Sequence, residues 1–400
     1  MHITYITHVG FDAPNPNNQM AEVLFNDILD KGHQLHIIQG HTKGVTADVP
    51  KSLEGRNNLQ CDTIVRKVVN KSHFIKRYLS DVHYYFKTLK YWKSIKTDLI
   101  YIQSGPTVVF LMLLLRLFKR KTPIIYSIYD VFPGHAYDIG VIRSKFIYNA
   151  LRLLQKPCYK IPKAITVLSE DMKNIVVAQG ATADNVYVVP AWFDTNTNRE
   201  VPLSENRFVK KYEIDTSKFY VQFAGTIGYV FNYNTIIEVA SRLRDEEDII
   251  FQMIGDGTTK AAFMDRAQQL NLTNIAFYPL QPIETVPDVY STCSMSIIPL
   301  MKGVIGNGVP SKAPILMTCR RLILTAVEAE SIYAKEFKQY NMGLVSDVFD
   351  YDDLAKKILW AKNNQDKVAM MIDNAYVYAT AHYSSNVCIN KLHQIFHSII

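Results

Sequence analysis

Short apolar runs alternate with helical patterns along most of the 400 residues, and this alternation restricts the chain to α/β folds. A strand-like run at 2–9 is followed by a loop rich in Pro and Asn, a helical pattern from Met20 to about Asp30, and a second strand-like run that ends at Gly40. The same order begins again at 219–228, FYVQFAGTIG. The sequence therefore predicts two doubly wound parallel sheets, which bind ligands at the carboxyl ends of their strands.

The length of the chain also predicts two domains, because single hydrophobic cores stop growing at about 250–300 residues. Hydrophobic residues make up 48% of the chain and charged residues 20%, as in folded globular proteins. We predict a first domain over 1–195, a polar linker without apolar periodicity over 196–218, a second domain over 219–370, and C-terminal helices over 371–400.

Several features of the sequence bear on the compartment. The five cysteines are scattered without a C-x-x-C pair, which argues against a disulfide framework or a zinc site and for a reducing environment. The first residues, MHITYITHVG, lack the pattern of a signal peptide. The longest apolar block, at 107–115, is shorter than the roughly 20 residues that span a bilayer. We therefore expect a cytoplasmic protein that does not cross a membrane. The helix predicted over 106–118 is a core crossover helix or, alternatively, one that dips into a membrane.

One stretch, Lys302–Arg321 (KGVIGNGVPSKAPILMTCRR), combines three glycines with the features of a helix start. Ser311 is a favoured N-cap residue, and Lys312 follows on the expected first turn. Free N–H groups and an adjacent ammonium at a helix N-terminus favour an anion such as phosphate, and the alternative is a loop that caps a core helix. Two other loops with glycines, Gly225–Gly228 and 254–257 (IGDG), end neighbouring strands of the second predicted sheet. Their convergence on one edge favours the phosphate interpretation.

Residues 66–96 interleave basic and aromatic residues, with Asp81 as the only acid. Such a run can be an ordinary helix with a solvated face and an aromatic core stripe. It is also typical of a surface for anionic lipid headgroups, and nucleic acid is a third partner to consider. We favour an anionic membrane surface, with no nucleic-acid partner. The basic residues assigned to it are Lys76, Arg77, Lys87, Lys90 and Lys93, and the aromatic residues expected to enter the headgroup region are Tyr84, Tyr91 and Trp92.

The motifs of this chain resemble those of the GT-B glycosyltransferases, which have two Rossmann-like domains facing across a cleft. The closest resemblance is to the retaining family 4 enzymes of bacterial surface polysaccharides such as O-antigen and capsule. It rests on FAGTIG at 223–228, IGDG at 254–257, GVPSK at 308–312 and YDVFP at 129–133, where Phe132 replaces a tryptophan.

This resemblance implies transfer of a hexose or N-acetylhexosamine from a nucleotide sugar, expected to be UDP-linked, to a polyprenyl-linked saccharide. It further implies that the last helices cross back to the first domain. The enzyme would then work as a peripheral protein at the inner face of the cytoplasmic membrane.

By the same resemblance, three loops of the second domain bind the donor through Gly225, Thr226, Ile227, Gly228, Asp256, Gly257, Gly308, Val309, Pro310, Ser311 and Lys312. The residues implied in catalysis are Asp130, Asn307 and Lys312, and those on the acceptor side are Asn17, Asn18, Gln19 and His135. In this scheme the N–H groups of Gly225–Gly228 face the diphosphate, and Lys312 neutralises it as it leaves. We expect no cofactor and no metal ion, since no Asp-x-Asp motif occurs in a suitable donor loop.

Two positions depart from the family's pattern, which has a pair of glutamates about eight positions apart. Asn307 and Ile315 stand in their places. Asn307 can still hydrogen-bond a sugar, whereas Ile315 cannot accept a hydrogen bond from a ribose. The alternatives to an active transferase are a catalytically degenerate scaffold in a polysaccharide-assembly complex and a nucleic-acid-associated α/β protein.

Overall fold

The computed structural model describes residues 1–11, 16–41, 49–66, 74–93, 95–194 and 197–400. The chain divides into two compact units, a first unit of residues 1–190 and 385–400 and a second unit of residues 191–384. Each unit is built on one sheet, with seven strands in the first and six in the second.

The first unit is a parallel sheet covered by helices. Its strands are β1 (His2–Thr7), β2 (Gln34–His41), β3 (Leu59–Val65), β4 (Leu99–Gln103), β5 (Ile124–Ile128), β6 (Ala164–Val167) and β7 (Val186–Val188). Its helices are α1 (Pro16–Asp30), α2 (Phe74–Trp92), α3 (Val108–Phe118), α4 (Gly134–Asp138), α5 (Lys145–Leu154), α6 (Lys156–Lys160), α7 (Glu170–Ala178) and, from the end of the chain, α17 (Ser385–Ile399). The strand order is β3-β2-β1-β4-β5-β6-β7, so the winding reverses between β1 and β4.

The second unit repeats this plan with a smaller parallel sheet. Its strands are β8 (Phe219–Ala224), β9 (Ile249–Ile254), β10 (Ile275–Tyr278), β11 (Met295–Pro299), β12 (Leu322–Ala326) and β13 (Leu344–Ser346). Its helices are α8 (Arg207–Tyr212), α9 (Tyr233–Arg242), α10 (Lys260–Gln269), α11 (Val286–Tyr290), α12 (Val304–Asn307), α13 (Ala313–Thr318), α14 (Ile332–Gln339), α15 (Tyr351–Asn363) and α16 (Gln365–His382). The strand order is β10-β9-β8-β11-β12-β13, with the reversal between β8 and β11.

The strands read as continuous apolar runs because both faces of each sheet are covered. Every residue of β4, β5, β11 and β12 is buried, as expected for parallel sheets with helices on both sides. All neighbouring strands in both sheets are paired in parallel, for example Tyr5 with Ile37 and Phe223 with Met253. The predicted pair of doubly wound, Rossmann-like sheets is therefore confirmed.

The predicted linker is part of the second unit. Residues 195 and 196 lie outside the described part of the chain, but the unit begins at Ala191 and includes residues 197–218. Asn206 caps α8 and donates from Nδ2 to the Asp288 carbonyl oxygen at 2.7 Å, and the Arg207 guanidinium pairs with the Asp288 carboxylate. These contacts are polar, and the buried apolar side chains of the segment, such as Phe208 and Ile214, stand apart in the sequence, so the segment is anchored without apolar periodicity.

The C-terminal segment 371–400 is divided between the two units. Residues up to Ser384 belong to the second unit, in which α16 packs against α13. Helix α17 belongs to the first unit: it packs against α1, where His393 pairs with Asp27, and Phe396 contacts Tyr101 with ring centroids 6.0 Å apart.

The structure corrects the aromatic part of the membrane hypothesis for 66–96. Tyr84, Tyr85 and Trp92 are at most 2% exposed and pack into the first unit. The Trp92 indole donates from Nε1 to Thr88 Oγ1 at 2.8 Å. Tyr84 and Trp92 therefore cannot enter a headgroup region, because leaving the core would cost the burial of two large side chains. Lys87, Lys90 and Lys93 are exposed, while the side chains of Lys76 and Arg77 lie outside the described part. Among the described helices, none is long and apolar enough to cross a membrane.

Candidate functional site

Three loops of the second unit meet at one edge of its sheet. They follow β9, β8 and β11, which are consecutive neighbours in the sheet, so the loops lie side by side at the carboxyl ends of these strands. The β8–β11 boundary is also where the strand order reverses. This is the position at which open α/β sheets bind their ligands.

The loops after β8 and β9 are hydrogen-bonded to each other through their backbones. The N–H of Gly225 donates to the Ile254 carbonyl oxygen and that of Ile227 to the Asp256 carbonyl oxygen, both at 2.9 Å. Thr259 returns two hydrogen bonds to the Ile227 carbonyl oxygen, from its N–H at 3.1 Å and its Oγ1 at 3.0 Å. Only half of the four N–H groups predicted to face an anion therefore remain for it. Among the described residues, the N–H groups of Thr226 and Gly228 have no protein acceptor.

Two glycines of the β9 loop make this close approach possible. Gly255 and Gly257 have φ values of 146° and 158°, which side chains rarely adopt. A Cβ on Gly255 would lie 1.9 Å from the Gly225 carbonyl oxygen, and one on Gly257 would lie 2.2 Å from the Ile227 carbonyl oxygen. The IGDG motif is thus required by the packing of backbone against backbone, independently of any ligand.

The loop after β11 is hydrogen-bonded to the loop after β8 and then leads into α13. Asn232 N donates to the Pro299 carbonyl oxygen at 2.9 Å, and Met301 N donates to the Val230 carbonyl oxygen at 3.0 Å. The Glu328 carboxylate, just beyond β12, accepts from the Gly303 N–H. The helix starts one residue later than predicted: Lys312, not Ser311, is its N-cap residue, and Ala313 and Pro314 follow.

Lys312 projects from this helix start back toward the β8 loop. Its Nζ lies 3.4 Å from the centroid of the Phe223 ring, and a Cβ on Gly225 would be 3.0 Å from the same atom. The Phe223 ring is held in place by Phe231, with centroids 4.1 Å apart. The residue as a whole is half-buried. Burial of its ammonium lowers the pKa of Lys312 to about 7, because burial disfavours the charged form.

A buried ammonium without a compensating carboxylate favours a nearby anion by its electrostatics. Loss of hydration is the cause of the lowered pKa, and no carboxylate among the described residues offsets it. A bound anion would restore the charge that burial disfavours. Together with the N–H groups of Thr226 and Gly228, the ammonium provides donors suited to a phosphate.

The remaining predicted residues of the second unit contribute in different ways. Ile227 is fully buried, so only its backbone can take part, whereas Thr226 and Asp256 are exposed at the edge. The Asp256 carboxylate accepts from the N–H of Gly257 at 2.8 Å. Asn307, at the end of α12, is buried. Between α12 and the N-cap residue of α13, Lys312, lie Gly308, Val309, Pro310 and Ser311.

The residues predicted for the acceptor side lie at the corresponding edge of the first unit. Asn17, Asn18 and Gln19 are on the first turn of α1, which begins at Pro16 and not at Met20 as predicted. Asn18 is buried and donates from Nδ2 to the Gly10 carbonyl oxygen at 3.0 Å, so it supports the loop backbone. Residues 12–15 of the preceding loop lie outside the described part.

Asp130 and His135 are brought together. Asp130 follows β5, His135 lies on the short α4, and His135 Nδ1 is 3.8 Å from Asp130 Oδ1. Sequence reasoning missed His8, which follows β1 at the reversal point of this sheet; a Cβ on Gly105 would lie 2.8 Å from its ring. It also missed Phe223 and Glu328. His8 could have been found from its position directly after a strand. Phe223 and Glu328 could not, because their contacts join segments that are distant in the sequence.

Comparison with known sequences identifies the class. Residues 22–197 match the family Glycosyltransferase Family 4, and residues 204–378 match the family Glycosyl transferases group 1. Each half of the chain thus matches a glycosyltransferase domain family, and the pair of Rossmann-like domains is the organisation of the GT-B glycosyltransferases.

Two named proteins are similar over part of this chain. The first is WcaI of Escherichia coli (strain K12), named as a colanic acid biosynthesis glycosyl transferase, with 28% identity over 149 residues, or 37% of this chain and 36% of that protein. The second is WbjE of Pseudomonas aeruginosa, named as a glycosyltransferase, with 21% identity over 262 residues, or 65% of each protein. The chain therefore spans less than two thirds of the length of either relative.

Solved structures share the fold of the whole chain. The structure of Anabaena Alr3699/HepE in complex with UDP matches with a TM-score of 0.75 at 12% identity and covers 100% of both chains. WaaG, a glycosyltransferase involved in lipopolysaccharide biosynthesis, matches with a TM-score of 0.70 at 14% identity and covers 98% of this chain and 99% of its own. At such identities the likeness establishes the fold.

Proposed function

We propose that the protein transfers a sugar from a UDP-linked donor, with retention, to a polyprenyl-linked saccharide during bacterial surface polysaccharide synthesis. The observation that carries this proposal is the uncompensated Lys312 ammonium beside the β8 loop. The relatives named for polysaccharide and glycosyl transfer, and the neighbour bound to UDP, support the choice of substrates.

In the proposed reaction, the site stabilises the negative charge that develops on the leaving diphosphate. As the bond between the anomeric carbon and the diphosphate oxygen breaks, negative charge grows on that oxygen and the bond to the acceptor hydroxyl oxygen forms. The Lys312 ammonium and the N–H groups of Thr226 and Gly228 stabilise that charge, and the leaving phosphate takes the proton of the acceptor hydroxyl. Asn307 hydrogen-bonds the donor sugar, and Asp130 with His135 borders the acceptor. No metal ion is part of this scheme, which stays a prediction.

Release of UDP is the direct test. Purified protein is incubated with a panel of UDP-hexoses and UDP-N-acetylhexosamines, and UDP release is measured with and without a polyprenyl diphosphate saccharide. We expect slow hydrolysis of one donor that accelerates when the acceptor is added. A protein that binds UDP but releases none from any donor under either condition would favour the degenerate scaffold, for which the loss of the glutamate at Ile315 is the supporting observation.

Ile315 leads to a specificity prediction. It lies half-buried on α13, where it offers no acceptor to a ribose hydroxyl. We expect the Kd of UDP and of 2′-deoxy-UDP to differ by less than about a hundredfold, or roughly 2.7 kcal/mol, in calorimetric titrations. Ile315→Glu should increase the difference, and Ile315→Val should leave it unchanged. A larger difference in the unmodified protein would mean that another residue binds the ribose.

The exposed lysines of α2, together with Lys93 directly after it, lead to a second prediction. Exposed charges near an anionic bilayer each contribute about 1 kcal/mol, screened within a Debye length. We expect Lys87→Glu with Lys90→Glu and Lys93→Glu to weaken sedimentation with anionic vesicles and to reduce its dependence on salt. The control carries the same change of charge at exposed lysines of the second unit, Lys335→Glu, Lys338→Glu and Lys367→Glu. Equal losses in both triple variants would show a net-charge effect and contradict a role for α2.

A further inference from the structure

Helix α5 displays its apolar side chains to solvent. Phe146, Ile147, Leu153 and Leu154 are 83%, 51%, 57% and 44% exposed. With Ala150, which is also exposed, they recur at the spacing of one helix face, so they form a continuous stripe. In an ordinary surface helix this stripe would face the core; here no residue of α5 is buried.

The opposite side of α5 is attached to the first unit, which fixes the outward direction of the stripe. The Tyr148 ring packs on Tyr137 with centroids 4.7 Å apart. Ser144 caps the helix by accepting from the Ile147 N–H at 3.4 Å, and Gln155, at its end, is buried and donates to the Pro106 carbonyl oxygen at 2.8 Å. The exposed stripe is therefore a property of a well-anchored helix.

The charges around the stripe are of one sign. No acidic residue occurs between Ile139 and Ser169. The basic residues of this segment are all exposed: Arg143, Lys145, Arg152, Lys156, Lys160 and Lys163. Lys145 and Arg152 lie seven positions apart on α5 and therefore share one side of that helix, and Lys156 follows at the start of α6. An apolar stripe flanked by exposed cations is complementary to an anionic lipid surface, where the stripe enters the headgroup–acyl boundary and the cations meet phosphates.

We propose that α5 is a membrane-docking helix, which inserts Phe146, Ile147, Leu153 and Leu154 into an anionic bilayer leaflet. The stripe takes the role that the sequence had suggested for Tyr84 and Trp92 of α2, which are buried. The docking rests on the apolar stripe and the charges alone; only its use in meeting a lipid-linked acceptor rests on the proposed function.

Vesicle sedimentation tests the stripe. Unmodified protein is expected to bind vesicles of phosphatidylglycerol and phosphatidylethanolamine more strongly than vesicles of phosphatidylcholine. Phe146→Ser with Leu153→Ser should weaken the binding to anionic vesicles at least about tenfold, since two large apolar side chains no longer leave water. The control, Met370→Ser with Val377→Ser, changes two side chains of similar exposure, 63% and 66%, on α16 of the second unit. It should bind as the unmodified protein does.

A second measurement keeps the result clear if the double variant folds poorly. Phe146→Trp should be quenched by lipids brominated on their acyl chains, whereas Val377→Trp should not. Equal quenching of both, or unchanged vesicle binding of a folded double variant, would overturn the proposal. So would a change from dimer to monomer in light scattering without any change in vesicle binding, because the stripe would then be a protein interface. UDP binding and release, measured without vesicles, report on the proposed function separately.

Discussion

Lys312→Ala is expected to lower kcat/KM for sugar transfer roughly 30- to 900-fold, which corresponds to about 2–4 kcal/mol of lost transition-state stabilisation. The ammonium lies against the Phe223 ring and next to Gly225, in surroundings of low polarity where a single charge has a large effect. The change should act mainly on kcat, because the charge of the leaving diphosphate is greatest in the transition state. Steady-state kinetics with the donor identified by UDP release would measure the change, and a rate near that of the unmodified protein would contradict the role of Lys312.

The pH dependence of UDP binding distinguishes this role from simple packing. Because the pKa of Lys312 is lowered to about 7, the free protein loses the ammonium proton as pH rises above 7. A bound diphosphate favours the charged form and raises that pKa, so the complex holds more protons than the free protein. The Kd of UDP should therefore increase above pH 7, by at most about tenfold per pH unit. The Lys312→Arg variant keeps the positive charge between pH 7 and 9, so its Kd for UDP should not change over that range. The same slope in both proteins would assign the titration to another group.

Gly255→Ala is expected to have the largest effect on the fold of the second unit. The new Cβ would be placed 1.9 Å from the Gly225 carbonyl oxygen, at a φ of 146°. Backbone strain and overpacking each cost about 1–3 kcal/mol, and here the two segments must separate. We expect a loss of about 3 kcal/mol or more in the free energy of unfolding of this unit, measured with urea, together with loss of UDP binding.

Gly180→Ala provides the matched control for that variant. Gly180 also has a positive φ, 113°, but nothing lies within 4 Å of a Cβ built on it. Gly180→Ala should lower the free energy of unfolding by only about 1–2 kcal/mol, from the backbone conformation alone, and should leave UDP binding intact. If Gly255→Ala were tolerated as well as this control, the close packing of the loops after β8 and β9 could not be what positions the site.

Much of the fold could be predicted because its signals are local. The alternation of strands and helices, and glycines directly after β8 and β9, follow from periods and turn residues that a short window of sequence contains. Since carboxyl ends of parallel strands share one edge, the convergence of the three loops also followed from strand order. Sequence reasoning did not detect the contacts of residues 197–218 with the second unit, because polar contacts such as those of Asn206 and Arg207 leave no apolar period in the sequence.

The sequence by itself determined which residues are available: two doubly wound sheets, the glycine loops, and a lysine at the start of α13. Tertiary structure decided how they act. Burial lowers the pKa of Lys312, whose ammonium lies over the ring of Phe223 from β8. The N–H groups left for an anion are those that the β9 loop does not use. Likewise, helical spacing in α2 and α5 reveals an apolar stripe but not whether the rest of the chain covers it. Burial is a property of packing between distant segments, and it covers Tyr84, Tyr85 and Trp92 of α2 while leaving Phe146 in solvent.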